Sequence, residues 1–240
     1  LPPEGGSLRT TATDMGQFMV AHLNEGTYNS ERILEADTVR EMHRRHFTKS
    51  EAVPELNGMA YGFIEMDRNG ETIVGHWGDT PRFMSLLALY PERDTGIFVV
   101  YNSPGGGPAR FELLQAFTDR YYPQSDTPVV EPPNGAADRA RGLTGDYRSL
   151  TVSESSWERV LGVMTRTYTV GATDEGYLTT TTLGEETRRW VERRPGVYEE
   201  VGGSDRLVFR VDEDGHATHM FRHAFGPATY ERVPWYETLT

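Results

Sequence analysis

The chain has 240 residues, 37% hydrophobic and 25% charged, a composition that fits a soluble globular protein with room for two domains and not a disordered chain. Its 36 acidic residues against 24 basic ones leave a net charge of -12, and no basic stripe with interleaved aromatics appears, which argues against nucleic acid as a partner. The cysteine count of zero removes disulfides, cysteine nucleophiles and thiolate metal sites together.

Lys49 is the one lysine; the other cations are all arginine. An acidic, lysine-poor surface suits high salt, where self-repulsion is screened. An arginine-biased genome with an ordinary acidic protein gives the same counts, and both readings stand. No apolar run approaches the roughly 18 residues of a membrane span. Leu1-Pro2-Pro3 reads as the middle of a longer polypeptide, without a signal segment.

In chain order, Thr11-Ala12-Thr13-Asp14 is a capping box opening a helix. Met15, Phe18, Met19, His22 and Leu23 share one face of it, and Gly26 ends it. A second helix is predicted over Ala36 to Arg45, with His43 and His46 as solvated residues at its C-terminal end. Then the period shifts. Tyr61 to Met66, Glu71 to Trp77, Phe83 to Tyr90 and Thr95 to Tyr101 read as strands, and their short connections require antiparallel neighbours. The bend is placed at His76-Trp77-Gly78. Gly105-Gly106-Gly107-Pro108 opens a helix presenting Phe111, Leu114, Phe117, Thr118 and Tyr121 on one face; it lacks the ending of a phosphate loop.

Residues 123–139 form a proline-rich linker between a domain at 1–122 and another at 140–240. Ser155 to Met164 is read as a helix, with a first strand as the alternative. Seven β segments follow, at Tyr168 to Val170, Tyr177 to Leu183, Arg189 to Glu192, Val197 to Val201, Leu207 to Val211, Ala217 to Phe221 and Thr229 to Val233. Their even spacing predicts a small antiparallel barrel or sandwich. His216, His219 and His223 cluster in sequence, but strand geometry does not converge them on one ion. Ser7, Ser85 and Ser103 sit in neither Ser-x-x-Lys nor Gly-x-Ser-x-Gly and are not read as nucleophiles.

The segment Val74-Gly75-His76-Trp77-Gly78-Asp79-Thr80-Pro81 carries the chemistry. It resembles the third active-site motif of the serine beta-lactamase and penicillin-binding-protein superfamily, in the esterase, D-aminopeptidase and class C-like branches where His-x-Gly replaces Lys-Thr-Gly. Gly5 to Met15, Tyr61-Gly62-Phe63, Leu86 to Arg93 and Val99 to Ser103 extend the likeness over residues 1–122. The fold implied is α+β: a partial beta-lactamase-like domain, an antiparallel sheet with flanking helices, followed by the small β domain. Leu143 to Ser149 resembles the opening of that domain and Tyr230 to Tyr236 its close.

The resemblance implies a serine hydrolase acting through an acyl-serine on an ester, amide or peptide, with no cofactor. It gives the Asp79 N–H a place in the oxyanion hole, needs Gly78 for its lack of bulk, and sets His76 beside the nucleophile. Trp77, Thr80, Arg82 and Tyr61 are the expected substrate contacts, Arg82 standing where glycine is usual. Arg82 meets either an anionic substrate group or an acidic neighbour. Ser-x-x-Lys and Tyr-x-Asn are absent, since the residue three before Lys49 is His46. The nucleophile is therefore expected in a missing N-terminal half, as a fused, cleaved or separate partner, whose absence leaves the strand Thr95 to Tyr101 without its partner from that half and exposes an apolar face. In several relatives membrane helices follow the β domain, implying an extracytoplasmic protein with an anchor beyond residue 240. The other reading is a non-catalytic binding or assembly module with a lipocalin-like β domain.

Overall fold

A computed structural model describes residues 8–49, 53–54, 56–80, 82–103, 105–124, 131–150, 167–182, 186–224 and 228–234. The chain forms two compact units, Leu1–Thr48 with Asn57–Asp126 and Lys49–Leu56 with Thr127–Thr240.

In the first unit, helix α1 (Ala12–Leu23) starts at the expected capping box. The Thr11 hydroxyl accepts from the Asp14 N–H at 3.1 Å, and the Asp14 carboxylate accepts from the Thr11 N–H at 3.4 Å. A short hairpin, β1 (Thr27–Tyr28) and β2 (Glu31–Arg32), leads to α2 (Ala36–His43). Strands β3 (Ile64–Glu65), β4 (Val74–Asp79), β5 (Met84–Tyr90) and β6 (Thr95–Tyr101) pair antiparallel in that order, and α3 (Gly106–Tyr121) follows. Leu87 and Leu89 pack with Met15, Met19 and Leu23 of α1, whereas Leu86, Ala88 and Tyr90 pack with Phe111, Leu114 and Phe117 of α3. Helices cover both faces, so every residue from Leu86 to Tyr90 is buried and the strand reads as a continuous apolar run.

Three expectations change here. The strand expected from Tyr61 shrinks to Ile64–Glu65, because Gly62 at φ 71° and the Ala60 N–H bonded to the Phe63 carbonyl at 2.9 Å make a tight turn. His76-Trp77-Gly78 lies inside β4, and the bend falls later, where the Thr80 N–H meets the Phe83 carbonyl at 2.9 Å. On α3 the buried residues include Arg110, Leu114 and Thr118, while Tyr121 is 63% exposed.

In the second unit, α4 (Ala136–Leu143) begins within the stretch expected to be linker. Beyond it run β7 (Gly145–Ser149), β8 (Thr167–Ala172), β9 (Leu178–Thr181), β10 (Arg188–Arg194), β11 (Val197–Glu200), β12 (Arg206–Val211), β13 (Ala217–Arg222) and β14 (Thr229–Val233). All seven expected β segments are strands, and β7 is an eighth. Each pairs antiparallel with its sequence neighbours, and β14 pairs with β7 to close an up-and-down barrel. Ser155 to Met164, like Trp235 and Tyr236, lies outside the described residues. Eight strands enclose just enough space for side chains. Tyr147, Tyr168, Trp190, Tyr198, Phe209 and Met220 fill it, joined by Ala140 and Leu143 of α4.

Buried charges in this unit are paired. Arg222 donates to Asp205 at 2.6 and 3.1 Å and to the Tyr168 hydroxyl at 2.7 Å, and Arg139 holds the buried Glu192 at 2.6 Å. Val53 and Leu56 pack on the outer-wall residues Val197, Val208 and Phe221, and Lys49 donates to the Arg222 carbonyl at 2.8 Å. The segment 49–56 thus belongs with the barrel despite its place in the sequence. Burial lowers the Lys49 ammonium to about 7.

The histidines of α1 and α2 form a pair. His22 Nδ1 lies 3.1 Å from His43 Nε2, the rings stack, and Phe63 meets both edge-on. His43 is therefore not a solvated end residue. His46 is exposed, as expected, with its ring stacked on Tyr61 and its Nε2 donating to the Glu41 carbonyl at 2.8 Å. Burial pushes His43 down to about 4, helped by His22, and burial lowers His22 as well. Above about pH 6.5 both folded and unfolded states hold the rings neutral. Below it the unfolded chain takes up protons that the fold refuses, so stability falls as pH drops toward 4. In urea melts between pH 7 and 4, His43→Gln should flatten this loss by roughly 2 kcal/mol relative to wild type. Equal slopes would show that the pair takes up protons freely.

Candidate active site

Strand β4 has two unlike edges. Toward β5 it pairs from Val74 opposite Leu89 to Asp79 opposite Met84. Toward β3 it pairs only at Val74 and Gly75. The bond from Thr80 to Phe83 marks that pair as hydrogen-bonded. Alternation along an antiparallel ladder then aims the Gly78 and His76 N–H groups at β5 and the Asp79 and Trp77 N–H groups at the other edge. Among the described residues no strand pairs with β4 on that edge past Gly75. The Asp79 N–H therefore points to the unpaired edge, and no hydrogen-bond partner meets it among the described residues.

Side chains divide by face. Directly opposed residues share a face, so His76 and Gly78 lie with Leu87 and Ser85 on the side that α1 covers further along. His76 is exposed. Its Nδ1 donates to the Trp77 carbonyl at 2.7 Å, so in the neutral ring Nε2 is the nitrogen that bears the lone pair. A Cβ built on Gly78 would come 2.8 Å from Ser85 Oγ, so any side chain there meets the hydroxyl of the opposite strand.

Trp77 and Asp79 project to the α3 face. Trp77 packs edge-to-face on Phe111 with centroids 5.6 Å apart, so it takes part in the sheet-to-helix packing. Thr80 is likewise occupied: its Oγ1 accepts from the Phe83 N–H at 2.9 Å and the Arg82 N–H at 3.4 Å, closing the turn. Tyr61 is 57% exposed and stacked on His46, with ring centroids 3.8 Å apart. Arg82 is exposed and has no ion pair with any described residue, and Pro81 lies outside the described residues.

Sequence reasoning missed Arg110. Only 4% exposed, it reaches from α3 to the Gly78 carbonyl at 2.9 Å, the Ser85 carbonyl at 3.1 Å and the Asp79 carboxylate at 2.8 Å. Its signal was spacing: Arg110, Leu114 and Thr118 follow at i, i+4 and i+8, which puts a cation in line with the buried stripe.

Gly78→Ala should cost about 1–3 kcal/mol in thermal or urea melts through overpacking against Ser85 Oγ. Adding Ser85→Ala should return most of it as a coupling energy in a double-mutant cycle. Additive effects would mean that the two residues are not in contact.

A family model described as Beta-lactamase matches residues 2–121. Among solved structures, the chain is similar to "Crystal structure of SurE with D-Leu" at 17% identity and a TM-score of 0.51, covering 97% of this chain and 57% of that one. A second, "Crystal structure of SurE", matches at 17% identity and a TM-score of 0.50, covering 93% and 48%. The octameric penicillin-binding protein homologue from Pyrococcus abyssi matches at 16% identity and a TM-score of 0.39, covering 92% and 46%. The chain thus spans about half the length of these structures, and at such identity the likeness is one of fold. No curated protein matches the chain. With the family model covering half of the sequence, this chain belongs to the beta-lactamase family.

Proposed function

We propose that the chain supplies one wall of a serine-hydrolase active site that works through an acyl-serine on an ester, amide or peptide. The attacking serine and its lysine lie in sequence outside these 240 residues. The observation that carries the reading is the unpaired Asp79 N–H on the open edge of β4, beside His76 and the side-chain-free Gly78. A tetrahedral intermediate places its negative oxygen against such a donor, and losing one donor of an oxyanion hole costs about 10²–10³ in rate. His76 Nε2 is oriented to accept a proton or a substrate N–H. Arg82, exposed on the turn after Thr80, is suited to an anionic substrate group.

The edge of β6 supports a partner as well. β6 pairs with β5 alone among the described residues, and Val100 is 46% exposed. A seven-residue apolar strand with a bare edge invites another strand. We assign that place to an N-terminal portion of the hydrolase domain, fused, cleaved or supplied by another molecule. An extracytoplasmic, membrane-anchored protein is part of the same proposal; no described helix is long and apolar enough to cross a membrane.

Two experiments test this. In the polypeptide that joins this chain to its upstream sequence, a fluorophosphonate should label a serine, and His76→Ala should cut the labelling rate at least about tenfold. Undiminished labelling would leave His76 with a structural role only. Separately, the 240-residue chain alone should melt without a cooperative transition in its first unit, followed through amide exchange of β5 and β6. A cooperative, monomeric transition there would remove the need for the partner.

A further inference from the structure

The donor proposed for the oxyanion carries a difficulty. Asp79 offers its N–H to a developing negative charge, yet its own side chain is a carboxylate that repels such a charge. The fold answers with a cation on the opposite face of the sheet. Arg110 donates to one Asp79 oxygen at 3.0 Å, lies 2.8 Å from the other as an ion pair, and draws the carboxylate to the α3 side of β4, away from His76 and Gly78.

The same guanidinium acts on the donor itself. The Gly78 carbonyl and the Asp79 N–H belong to one planar peptide and point in opposite directions. Arg110 donates to that carbonyl at 2.9 Å and to the Ser85 carbonyl opposite it at 3.1 Å. Fixing the oxygen on the β5 side fixes the N–H toward the open edge. A cation on the oxygen also polarises the peptide and makes its N–H a better donor. Arg110 Nε is buried and has no hydrogen-bond partner among the described residues.

We propose that Arg110 is the positioning residue of the oxyanion donor: it orients and polarises the Gly78–Asp79 peptide and neutralises the Asp79 carboxylate behind it. This rests on the serine-hydrolase reading and goes past it by naming a residue outside the motif, on α3, that touches neither substrate nor nucleophile.

The test uses the full polypeptide carrying this chain, with active sites titrated by a fluorophosphonate and turnover followed on a p-nitrophenyl ester. Arg110→Gln should lower kcat per titrated site about 10- to 100-fold with KM within about threefold of wild type. Adding Asp79→Asn should recover several-fold of the loss by removing the bared charge, a rescue that damaged packing would not give. Arg110→Lys, which keeps the charge but not the forked geometry, should fall between, and it decides the matter if Arg110→Gln does not fold. A folded Arg110→Lys within twofold of wild type, or a double variant no faster than Arg110→Gln, overturns the assignment of Arg110 alone. A wild type that takes no label overturns the hydrolase reading and this inference with it.

Discussion

One peptide plane, between Gly78 and Asp79, has to satisfy two neighbours at once. On its carbonyl side it is held by β5 and by the guanidinium of Arg110; on its N–H side no strand pairs with it among the described residues. A backbone donor without a partner is costly when buried, so a fold keeps one only where water or a ligand can reach it. β4 achieves this because β3 is just two residues long and stops at the level of Gly75. The brevity of β3, the pairing of β5 and the burial of Arg110 are therefore parts of a single arrangement. Helices α1 and α3 serve it by gripping the two faces of β5, which fixes the strand against which β4 is aligned.

Much of this was legible in the sequence, for identifiable reasons. The Thr11 to Asp14 capping box, the apolar spacing of α1 and the even run of turn residues through the barrel are local signals, and local signals survive into the fold. β6 runs from Thr95 to Tyr101 as expected, because β-branched and aromatic residues crowd between Asp94 and Asn102. What failed was what depends on distant partners. Tyr61 to Phe63 has a strand's composition, but Gly62 turns the chain before pairing can start. His43 looked like a helix-end cation until its partner, His22, came from another helix. The loop 49–56 gave no sign of joining the barrel, since Val53 and Leu56 are too few to mark an element.

The candidate site divides along the same line. His76 and Gly78 were found because their motif is contiguous, and alternation along β4 keeps them on one face. The same alternation sends Trp77 to the opposite face, against Phe111, a consequence that a motif read as a bend could not reveal. Arg110 lies 31 residues from Asp79 in sequence and became visible only when α3 folded over the sheet. The barrel follows a different logic, with its interior occupied by aromatic rings and its few buried charges tied in pairs such as Arg222 with Asp205.

In the proposed hydrolase, the negative charge of a tetrahedral adduct settles against the Asp79 N–H. A crystal structure of the full polypeptide carrying a covalent phosphonate on its nucleophile would test it most directly. A phosphonyl oxygen is expected about 2.7–3.1 Å from the Asp79 nitrogen, with His76 on the same side of β4. An adduct whose oxygens point elsewhere, or an Asp79 N–H engaged by a protein carbonyl, would contradict it.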